Sequence, residues 1–541
     1  MASIISLCKT LFEILKSGSW LCLVYLVELL PHFILPVFAG HIGLVEIDAI
    51  GLYLAGDFLV GSAISILIGF VFQGLISQAC GSNDGNAARI LFQRTLIIGY
   101  LIYFAVGIPI MLNSSLIFFL IGQDIQVSHL AGNCLTITIP VYFVKFFGEL
   151  LFRIFLAQLK TTRVVIASAF YGITLVLFEI LFVHLLKFGL YGIPLGMTLA
   201  LCVYTGVMLC LFLMDTTQGT YNFFQFHEDC MGRWPELCTD YFYAIIIGIT
   251  FRLTNEACTF LAGMLGIIEL AAQTILRRYT VFSHILTFGF GSPCISLIGR
   301  AIGCKSIADF QISVQATLLF HFSLSFSIAV LTVIFRNPLA SLMSSNVDVV
   351  NLAVSLTLIV AFYDFLNLFN TGFLDIFRAM DAMKFPFIVA VTTSYFLGLP
   401  LSFVLTLYTP LRLAGFYWAM LLYLFIQLLC YAGYLLHQDW DEKMLESLNE
   451  KTRLLASQSS KYLNPPNSLD EQSTGESLAG VDNVCNNSGQ QDTAHADLPK
   501  NYLFQSIKHH LAQRAFLFVG LLSILALASA LRIVSVFILH V

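Results

Sequence analysis

The sequence has few charged residues. Asp, Glu, Lys and Arg make up 11% of its 541 residues, less than half of the roughly 25% found in soluble globular domains. A chain with so little charge cannot expose most of its length to water, which excludes an ordinary soluble enzyme. The net charge of −5 also lacks the basic excess that nucleic-acid binding requires.

The chain also lacks the motifs that mark metal, redox or nucleotide chemistry. Its 13 cysteines are scattered and include no CxxC pair, so neither a zinc site nor a disulfide framework is indicated. Walker, HExxH and GxSxG motifs are absent as well. We therefore expect no metal, no cofactor, no ATP-driven step and no enzymatic activity.

Long apolar segments occupy most of the chain instead. Hydrophobic residues account for 58% of the sequence, and the mean hydropathy is +0.85. A helix that crosses a bilayer needs about 20 mostly apolar residues, and segments of that size recur twelve times before residue 437 and once near 514–538. The predicted fold class is an all-α integral membrane protein of two pseudo-symmetric six-helix bundles plus one extra C-terminal transmembrane helix.

Composition divides the chain further. The 437–513 segment is rich in Ser, Asn, Gln, Asp and Glu, a composition that cannot bury a core and predicts a disordered loop. The 214–239 stretch is polar and separates two sets of six spans. The predicted parts are a cytosolic or interfacial N-terminus at 1–17, an N-terminal lobe at 18–213, a linker at 214–239, a C-terminal lobe at 240–436, a disordered cytosolic loop at 437–513, and the thirteenth helix with the C-terminus at 514–541.

Lysine and arginine are distributed unevenly between the two sides of the predicted spans. Ten lie in or beside the loops that follow even-numbered helices, against three after odd-numbered helices up to the twelfth. Cytosolic loops carry the excess of basic residues, so this bias predicts a cytosolic N-terminus and, after thirteen helices, an extracytosolic C-terminus. We expect a multi-pass protein of the plasma membrane or of an intracellular vesicle membrane.

The two halves of the chain resemble each other. Gly40–Glu46 recurs as Gly263–Glu269 at a shift of 223 residues, and Gly81 has its counterpart in Gly303 at a shift of 222. Repeats of six helices in the same orientation predict a pseudo-two-fold axis along the membrane normal. Carriers that work by alternating access have this architecture, with the binding site between the halves.

These segments also resemble a known family. Phe38–Gly43 (FAGHIG), Leu75–Ser82 (LISQACGS), Phe260–Gln273 (FLAGMLGIIELAAQ) and Leu397–Pro400 (LGLP) are similar in kind and order to helices 1, 2, 7–8 and 11 of the multidrug and toxin extrusion (MATE) family. Twelve helices followed by a polar loop and a thirteenth resemble the animal branch. The resemblance implies a proton-coupled exporter of small organic cations.

Polar side chains inside predicted spans are candidate site residues, because a charge at the centre of a membrane helix costs at least about 2.5 kcal/mol. They follow helical spacing in the seventh, eighth and tenth helices, and the stripes are predicted to line a water-filled cavity; contact between helices is the alternative. The first helix adds a Glu–His pair, either a second proton site or a structural hydrogen bond. The candidates are Arg252, Asn255, Glu256, Gln273, Arg278, Asp364, Asn367 and Thr371, with Glu28, His32 and Gln78 in the N-terminal half.

The resemblance assigns proton coupling to two of these positions. Glu256 and Asp364 fall on acidic positions of the family's seventh and tenth helices. Two further acidic positions of the family are occupied here by Phe251 and Arg278. The loss of two carboxylates, one to a cation, predicts a shift toward zwitterionic, neutral or anionic substrates if Arg278 faces the cavity, with cations retained if it does not.

The predicted function is therefore a secondary-active, proton-coupled antiporter that exports small organic compounds by alternating access. Its expected partners are the substrate, protons and the bilayer, and we expect a monomer. The alternatives are a lipid or glycolipid flippase of related two-lobe architecture, a membrane-embedded enzyme, and a scaffold that has lost transport. A strongly cationic cavity would favour the flippase, whereas the scattered histidines argue against the enzyme.

Overall fold

The computed structural model describes residues 2–215, 223–232 and 234–437. The thirteenth helix predicted at 514–538 and the predicted disordered loop after His437 lie outside the described residues. Within the described part of the chain, twelve helices are long and apolar enough to cross a membrane, which confirms the number of spans expected for the two lobes.

The helices are labelled in chain order. The first six are α1 (Ile4–Gly40), α2 (Leu44–Gly81), α3 (Gly85–Leu112), α4 (Ile125–Ala157), α5 (Thr161–Leu185) and α6 (Gly189–Leu213). The second six are α7 (Trp234–Leu265), α8 (Ile267–Gly303), α9 (Ile307–Ile334), α10 (Val347–Met380), α11 (Lys384–Leu407) and α12 (Leu413–His437).

Polar side chains and glycine fix where several helices begin. Asp84, Asp124 and Asn346 precede α3, α4 and α10, and each side chain accepts hydrogen bonds from two backbone N–H groups of the first turn, which would otherwise lack partners. Gly266 separates α7 from α8 at φ +149°, a conformation that glycine adopts without a steric penalty.

The beginning of the chain is already helical. A continuous helix spans Ala2–Glu28, so the predicted boundary between 17 and 18 falls inside it. The helix is interrupted at Leu29, because Pro31 has no N–H, and it resumes over Leu30–Gly40. The backbone N–H of His32 bonds to the Leu29 carbonyl at 3.0 Å, which is a tighter turn than an α-helix makes.

The two lobes, α1–α6 and α7–α12, meet mainly through α1 and α2 on one side and α7–α10 on the other. The inter-lobe contact of α2 with α8 and α10 is called the seam and is defined here by Gly74, Gln78, Gly81, Gly299 and Gly303. A Cβ added to Gly81 would lie 2.3 Å from the Arg300 carbonyl oxygen, and one added to Gly303 would lie 2.1 Å from the Gln78 carbonyl oxygen. Backbones this close require small residues.

The seam has the pseudo-symmetry that the repeat predicts. Gln78 and Gly81 correspond at a shift of 222 to Arg300 and Gly303, and the two glycine-to-carbonyl contacts are exchanged by that shift. Ser77 likewise corresponds to Gly299, whose added Cβ would lie 2.7 Å from the Ser77 Cβ. The seam lies at the end of the lobes that the basic residues predict to be cytosolic.

The linker between the lobes packs against α3. The side-chain amide of Gln93 donates to the Phe223 and Gln225 carbonyls at 3.0 and 2.7 Å, and Arg94 donates to the Asp229 carbonyl. The backbone N–H of Asp229 donates to Nδ1 of His227 at 3.3 Å, and burial lowers the pKa of this imidazole. The linker is thereby anchored to the N-terminal lobe before α7 begins at Trp234.

Candidate functional site

A cluster of one carboxylate and three guanidinium groups lies between the lobes, away from the seam. Arg277 on α8 donates to both carboxylate oxygens of Glu256 on α7, at 3.0 and 2.5 Å. Arg252, one turn before Glu256, is 3.4 Å from the same carboxylate. The Glu256 side chain stays 42% exposed although it lies well inside α7, so the cluster opens into a cleft.

Two of the arginines face the opposite lobe. The guanidinium of Arg252 lies 4.4 Å from the ring centroid of Phe58 on α2, in a cation–π contact between the lobes. Arg278 is exposed, and its charge, like that of Arg252, acts on His32 of α1. Three cations and one anion from the C-terminal lobe thus line this side of the cleft.

Arg252 and Glu256, one turn apart on α7, are in contact at 3.4 Å, but the stronger partner of Glu256 is Arg277. Arg277 binds Glu256 through two parallel hydrogen bonds, which is the stronger geometry, and it also donates to Thr259 at 3.2 Å. Periodicity within one helix predicts only partners on that helix, whereas Arg277 comes from the next one.

A smaller polar pocket lies inside the C-terminal lobe, behind this cluster. It is lined on α7 and α8 by Asn255, Gln273, Arg277 and Thr280 and closed by Tyr417 on α12. The Tyr417 hydroxyl donates to the Gln273 side-chain oxygen at 2.5 Å. The predicted candidates Asn255 and Gln273 therefore belong to one pocket, and Arg277 connects that pocket to the cleft.

Asp364 lies next to this pocket and is 1% exposed. Its Oδ1 accepts a hydrogen bond from the Thr280 hydroxyl at 3.0 Å, while Oδ2 is buried without a partner among the described residues. An ionised carboxylate with a single donor is costly in such surroundings. The neutral acid, which can also donate its proton, fits the site better.

The polar stripe of α10 packs against α8 instead of lining open water. Asn367 donates to the Nε2 atom of His284 on α8 at 3.2 Å, and Asp364 meets Thr280 on the same helix. Thr371 is directed back to the Asn367 carbonyl at 3.1 Å. Along this stripe the contacts favour the alternative of contact between helices, because α8 presents a matching row of polar groups that covers it.

The three candidate residues of the N-terminal lobe do not form one site. His32 packs edge-on against Phe58, with ring centroids 6.4 Å apart, and its Nδ1 has no hydrogen-bond partner among the described residues. The expected Glu28–His32 contact is not formed in the part of the chain that is described, since the break at Leu29 disturbs the helical spacing. Gln78 lies in the seam, where its amide donates to the Ala379 carbonyl at 2.6 Å.

Sequence reasoning missed a buried polar network in the N-terminal lobe. Asp57, 3% exposed, accepts hydrogen bonds from the Tyr142 and Ser62 hydroxyls at 2.5 and 2.9 Å. Lys145 donates to Ser62 at 2.5 Å. Asp57 begins a π-helical turn over Asp57–Ser62, and such turns are frequent at functional sites; an acidic residue within an apolar span was the available signal.

Two more buried charges escaped the sequence analysis. Glu179 on α5 is fully buried, with no hydrogen-bond partner for either carboxylate oxygen among the described side chains. Arg153, near the C-terminal end of α4, is 1% exposed and pairs with Glu149 at 2.7 Å. It also donates to the Gln73 side-chain oxygen at 2.9 Å.

Comparisons with known proteins agree with this architecture. The MatE family model matches residues 21–181 and 244–404, which are two copies separated by the same 223 residues as the repeat. Human multidrug and toxin extrusion protein 1 is 24% identical over 419 residues, covering 77% of this chain and 73% of that protein. Rabbit (Oryctolagus cuniculus) multidrug and toxin extrusion protein 2 is 22% identical over 453 residues, covering 80% and 74%.

Solved structures show the same fold. The eukaryotic MATE transporter AtDTX14 superimposes with a TM-score of 0.76 at 14% identity, over 82% of this chain and 99% of that one. The bent form of the Vibrio cholerae MATE transporter VcmN gives 0.71 at 15% identity, over 82% and 99%. Together with the family match over both repeats, these similarities establish that the chain belongs to the MatE family and is a membrane transporter of the multidrug and toxin extrusion type.

Proposed function

We propose that the chain is a proton-coupled antiporter that exports small organic compounds by alternating access, with Asp364 as the group that carries the proton. The observation that supports this is the burial of Asp364 beside a single hydrogen-bond donor. In the state described here the lobes meet at the seam and leave the cleft open at the other end. We place the seam on the cytosolic side, so this is the outward-facing state.

Loss of the proton from Asp364 would leave a buried anion in the C-terminal lobe that needs additional hydrogen-bond donors. The Asp364 anion needs more donors than Thr280 alone can supply. Arg277 lies one turn before Thr280 on α8 and lines the same pocket, so it is well placed to turn from Glu256 toward Asp364. We propose that Asp364 and Glu256 compete for Arg277, so that protonation of one determines the charge that the other presents to the cleft.

The substrate that fits this cleft best carries a negative group. Arg252, Arg277 and Arg278 outnumber Glu256, and Asp364 is withdrawn from the surface. At an effective dielectric constant of about 20, unit charges about 4 Å apart interact by roughly 4 kcal/mol. We therefore propose anionic or zwitterionic substrates, in contrast to the organic cations that the family resemblance implies.

The test of proton coupling is uptake into proteoliposomes under an imposed pH gradient. Asp364→Asn keeps the shape of the side chain but cannot titrate, so we expect pH-driven uptake to fall at least about tenfold while the protein still inserts and folds. Thr280→Val is the companion variant, because it removes the donor and keeps the carboxyl. Undiminished pH-driven uptake by Asp364→Asn would exclude Asp364 from the mechanism.

The same vesicles test the charge preference. Uptake of a carboxylate-bearing dye is divided by uptake of a quaternary ammonium dye, and Arg278→Glu is expected to lower this ratio at least about tenfold, given the size of one charge contact. The ratio for Arg278→Gln should lie between those of the wild type and of Arg278→Glu. A ratio that stays the same in both variants would show that Arg278 does not set selectivity.

A lipid substrate is the second candidate function, because the cationic lining also suits the phosphate of a lipid head group. Fluorescent phospholipid in the same proteoliposomes distinguishes the two. Accelerated transfer of the lipid between leaflets, together with no uptake of either soluble dye, would favour the flippase.

A further inference from the structure

A second titratable centre lies in the C-terminal lobe, close to the seam. His321 on α9 and Asp375 on α10 are 1% and 2% exposed, and their Nε2 and Oδ2 atoms are 3.4 Å apart. Each side chain packs closely against a glycine of a neighbouring helix. A Cβ added to Gly291 of α8 would lie 2.3 Å from the Asp375 carboxylate, and one added to Gly372 of α10 would lie 2.8 Å from the His321 ring. Asp375 is three turns along α10 from Asp364, so this centre is separate from the pocket described above.

The hydrogen bonds around His321 show where its protons must be. Nδ1 lies 3.0 Å from the Thr317 carbonyl oxygen, which can only accept, so Nδ1 carries a hydrogen. In the neutral ring Nε2 is then an acceptor, and it faces another acceptor, Asp375 Oδ2. Neither atom has a hydrogen-bond partner of its own among the described residues. The contact is favourable only with one additional proton, on the imidazole or on the carboxyl.

His284 shows the contrast within the same lobe. Its Nδ1 is bound in the same way, 2.6 Å from the Thr280 carbonyl, and its Nε2 is therefore also an acceptor. That Nε2 faces the side-chain amide of Asn367, which donates at any pH. His284 thus needs no additional proton, whereas His321 does.

The His321–Asp375 pair is connected to the seam through Arg378. Arg378 donates to Asp375 Oδ1 at 2.8 Å, and its guanidinium lies 4.6 Å from the ring centroid of Phe70 on α2 of the other lobe. A Cβ added to Gly74 would lie 2.2 Å from the Arg378 carbonyl oxygen. Any movement of Asp375 that shifts Arg378 therefore disturbs the contact between the lobes.

We propose that His321 and Asp375 bind one proton between them and that this proton holds the seam closed. The proposal rests on the alternating access proposed above, but it assigns the control of one gate to residues other than Asp364. When the proton leaves, two buried acceptors face each other, and each unsatisfied buried group is destabilising. Opening the seam admits water, which supplies the missing donors.

The other groups around the pair are consistent with this direction. On α8, Cys294 reaches the His321 ring, and because its only hydrogen is directed to the Phe290 carbonyl at 3.3 Å, its sulfur can only accept. On α10, Arg378 remains positive throughout. Across the seam, Arg153 on α4 also lies over Phe70, at 4.1 Å, where Glu149 balances its charge. On α1, which packs against α8, Cys22 donates to the Leu286 carbonyl.

The test is hydrogen–deuterium exchange of the full-length protein in lipid nanodiscs, between about pH 6 and pH 10, because the Asp375 carboxylate retains the shared proton above the range in which a free imidazole titrates. Protection of the seam segments 74–81 and 296–303 is measured relative to the intrinsic exchange rate at each pH. We expect the wild type to lose at least about tenfold protection as the pH rises, the factor that corresponds to about 1.4 kcal/mol.

Two variants should remove this pH dependence. In Asp375→Asn the amide can donate to His321 Nε2 and its oxygen can still accept from Arg378, so the seam should stay protected at every pH. His321→Gln also supplies a permanent donor to Asp375, and it keeps the test decisive if Asp375→Asn does not fold. His284→Gln is the matched control and should retain the pH dependence of the wild type.

The outcomes separate this proposal from the proposed function. Asp364→Asn should lose pH-driven uptake while keeping pH-dependent protection of the seam. Protection that does not change with pH in the wild type, or that changes with pH as in the wild type in both Asp375→Asn and His321→Gln, would overturn the assignment whatever the result for Asp364.

Discussion

At the scale of single residues, the arginines in the cleft differ in how strongly they bind Glu256. Glu256 receives two hydrogen bonds from Arg277 and only a 3.4 Å contact from Arg252. Arg252 has a second attachment in the ring of Phe58 on the opposite lobe. Arg277 therefore stabilises the C-terminal lobe itself, whereas Arg252 acts between the lobes.

This difference predicts distinct effects of the two alanine variants. Arg277→Ala should lower the thermal midpoint of the purified protein more than Arg252→Ala, by an amount corresponding to about 1 kcal/mol, because the groups are partly exposed and their interaction is screened. Arg277→Lys keeps the charge without the paired geometry and should be intermediate. The comparison is made by thermal unfolding in detergent, and an equal or larger loss in Arg252→Ala would contradict the assignment.

The sequence was sufficient to place some of these residues and insufficient to pair them. Helical spacing put Arg252 and Glu256 on one face of α7, and both lie in the cleft. Lys145 and Glu149 lie one turn apart on α4, and spacing alone would pair them, but Glu149 binds Arg153 on its other side and Lys145 donates to Ser62. Residues four positions before and after a given residue are equally close to it on one helix. Contacts with neighbouring helices determine which of the two becomes its partner.

At the scale of helices, the crossing of α2 and α8 depends on glycine. The backbones meet at Gly81 and Gly303 with no space for a side chain, and the carbonyl oxygens that would clash cannot move without bending a helix. By contrast, a methyl group added to Gly433 on α12 would have nothing within 4 Å. The two kinds of glycine should respond differently to substitution.

Gly303→Val is accordingly expected to open the seam or to destabilise the protein by about 1–3 kcal/mol, the usual cost of overpacking. Gly433→Ala is the control and should be neutral or stabilising by up to about 1 kcal/mol, because alanine is the better helix former. Thermal unfolding and exchange protection of the seam segments measure both effects. Equal behaviour of the two variants would show that the crossing tolerates separation.

At the scale of the whole molecule, the repeat was the most informative feature of the sequence. The shift of 223 residues found in the short motifs is the shift between the two stretches that match the family model, 21–181 and 244–404. Hydropathy was enough to count twelve spans. It was not enough to show that α8 covers the polar stripe of α10, since this depends on which helices are neighbours in space.

The described lobes end at His437, and this predicts the result of truncation. A chain ending at His437 keeps all twelve helices and should give a monodisperse peak in size-exclusion chromatography, with a thermal midpoint within a few degrees of the full chain, about what a change below 1 kcal/mol produces. A chain ending at Leu407 is the control. It loses α12, which accepts a hydrogen bond from Asn370 and donates one from Gln427 to Thr393, and it should aggregate.

Aggregation of the chain that ends at His437 would show that residues after it are needed to complete the two lobes. Recovery of a monodisperse peak from the chain that ends at Leu407 would instead show that α12 is dispensable for folding.

The pseudo-symmetry of the seam bears on how such a protein can arise. A contact in which Gly81 meets Arg300 and Gly303 meets Gln78 is self-complementary, like the interface of a two-fold symmetric dimer. A single six-helix ancestor could have formed it with a second copy of itself. After gene duplication and fusion, each half became free to diverge, so that a buried pair such as His321 and Asp375 could arise in one half alone.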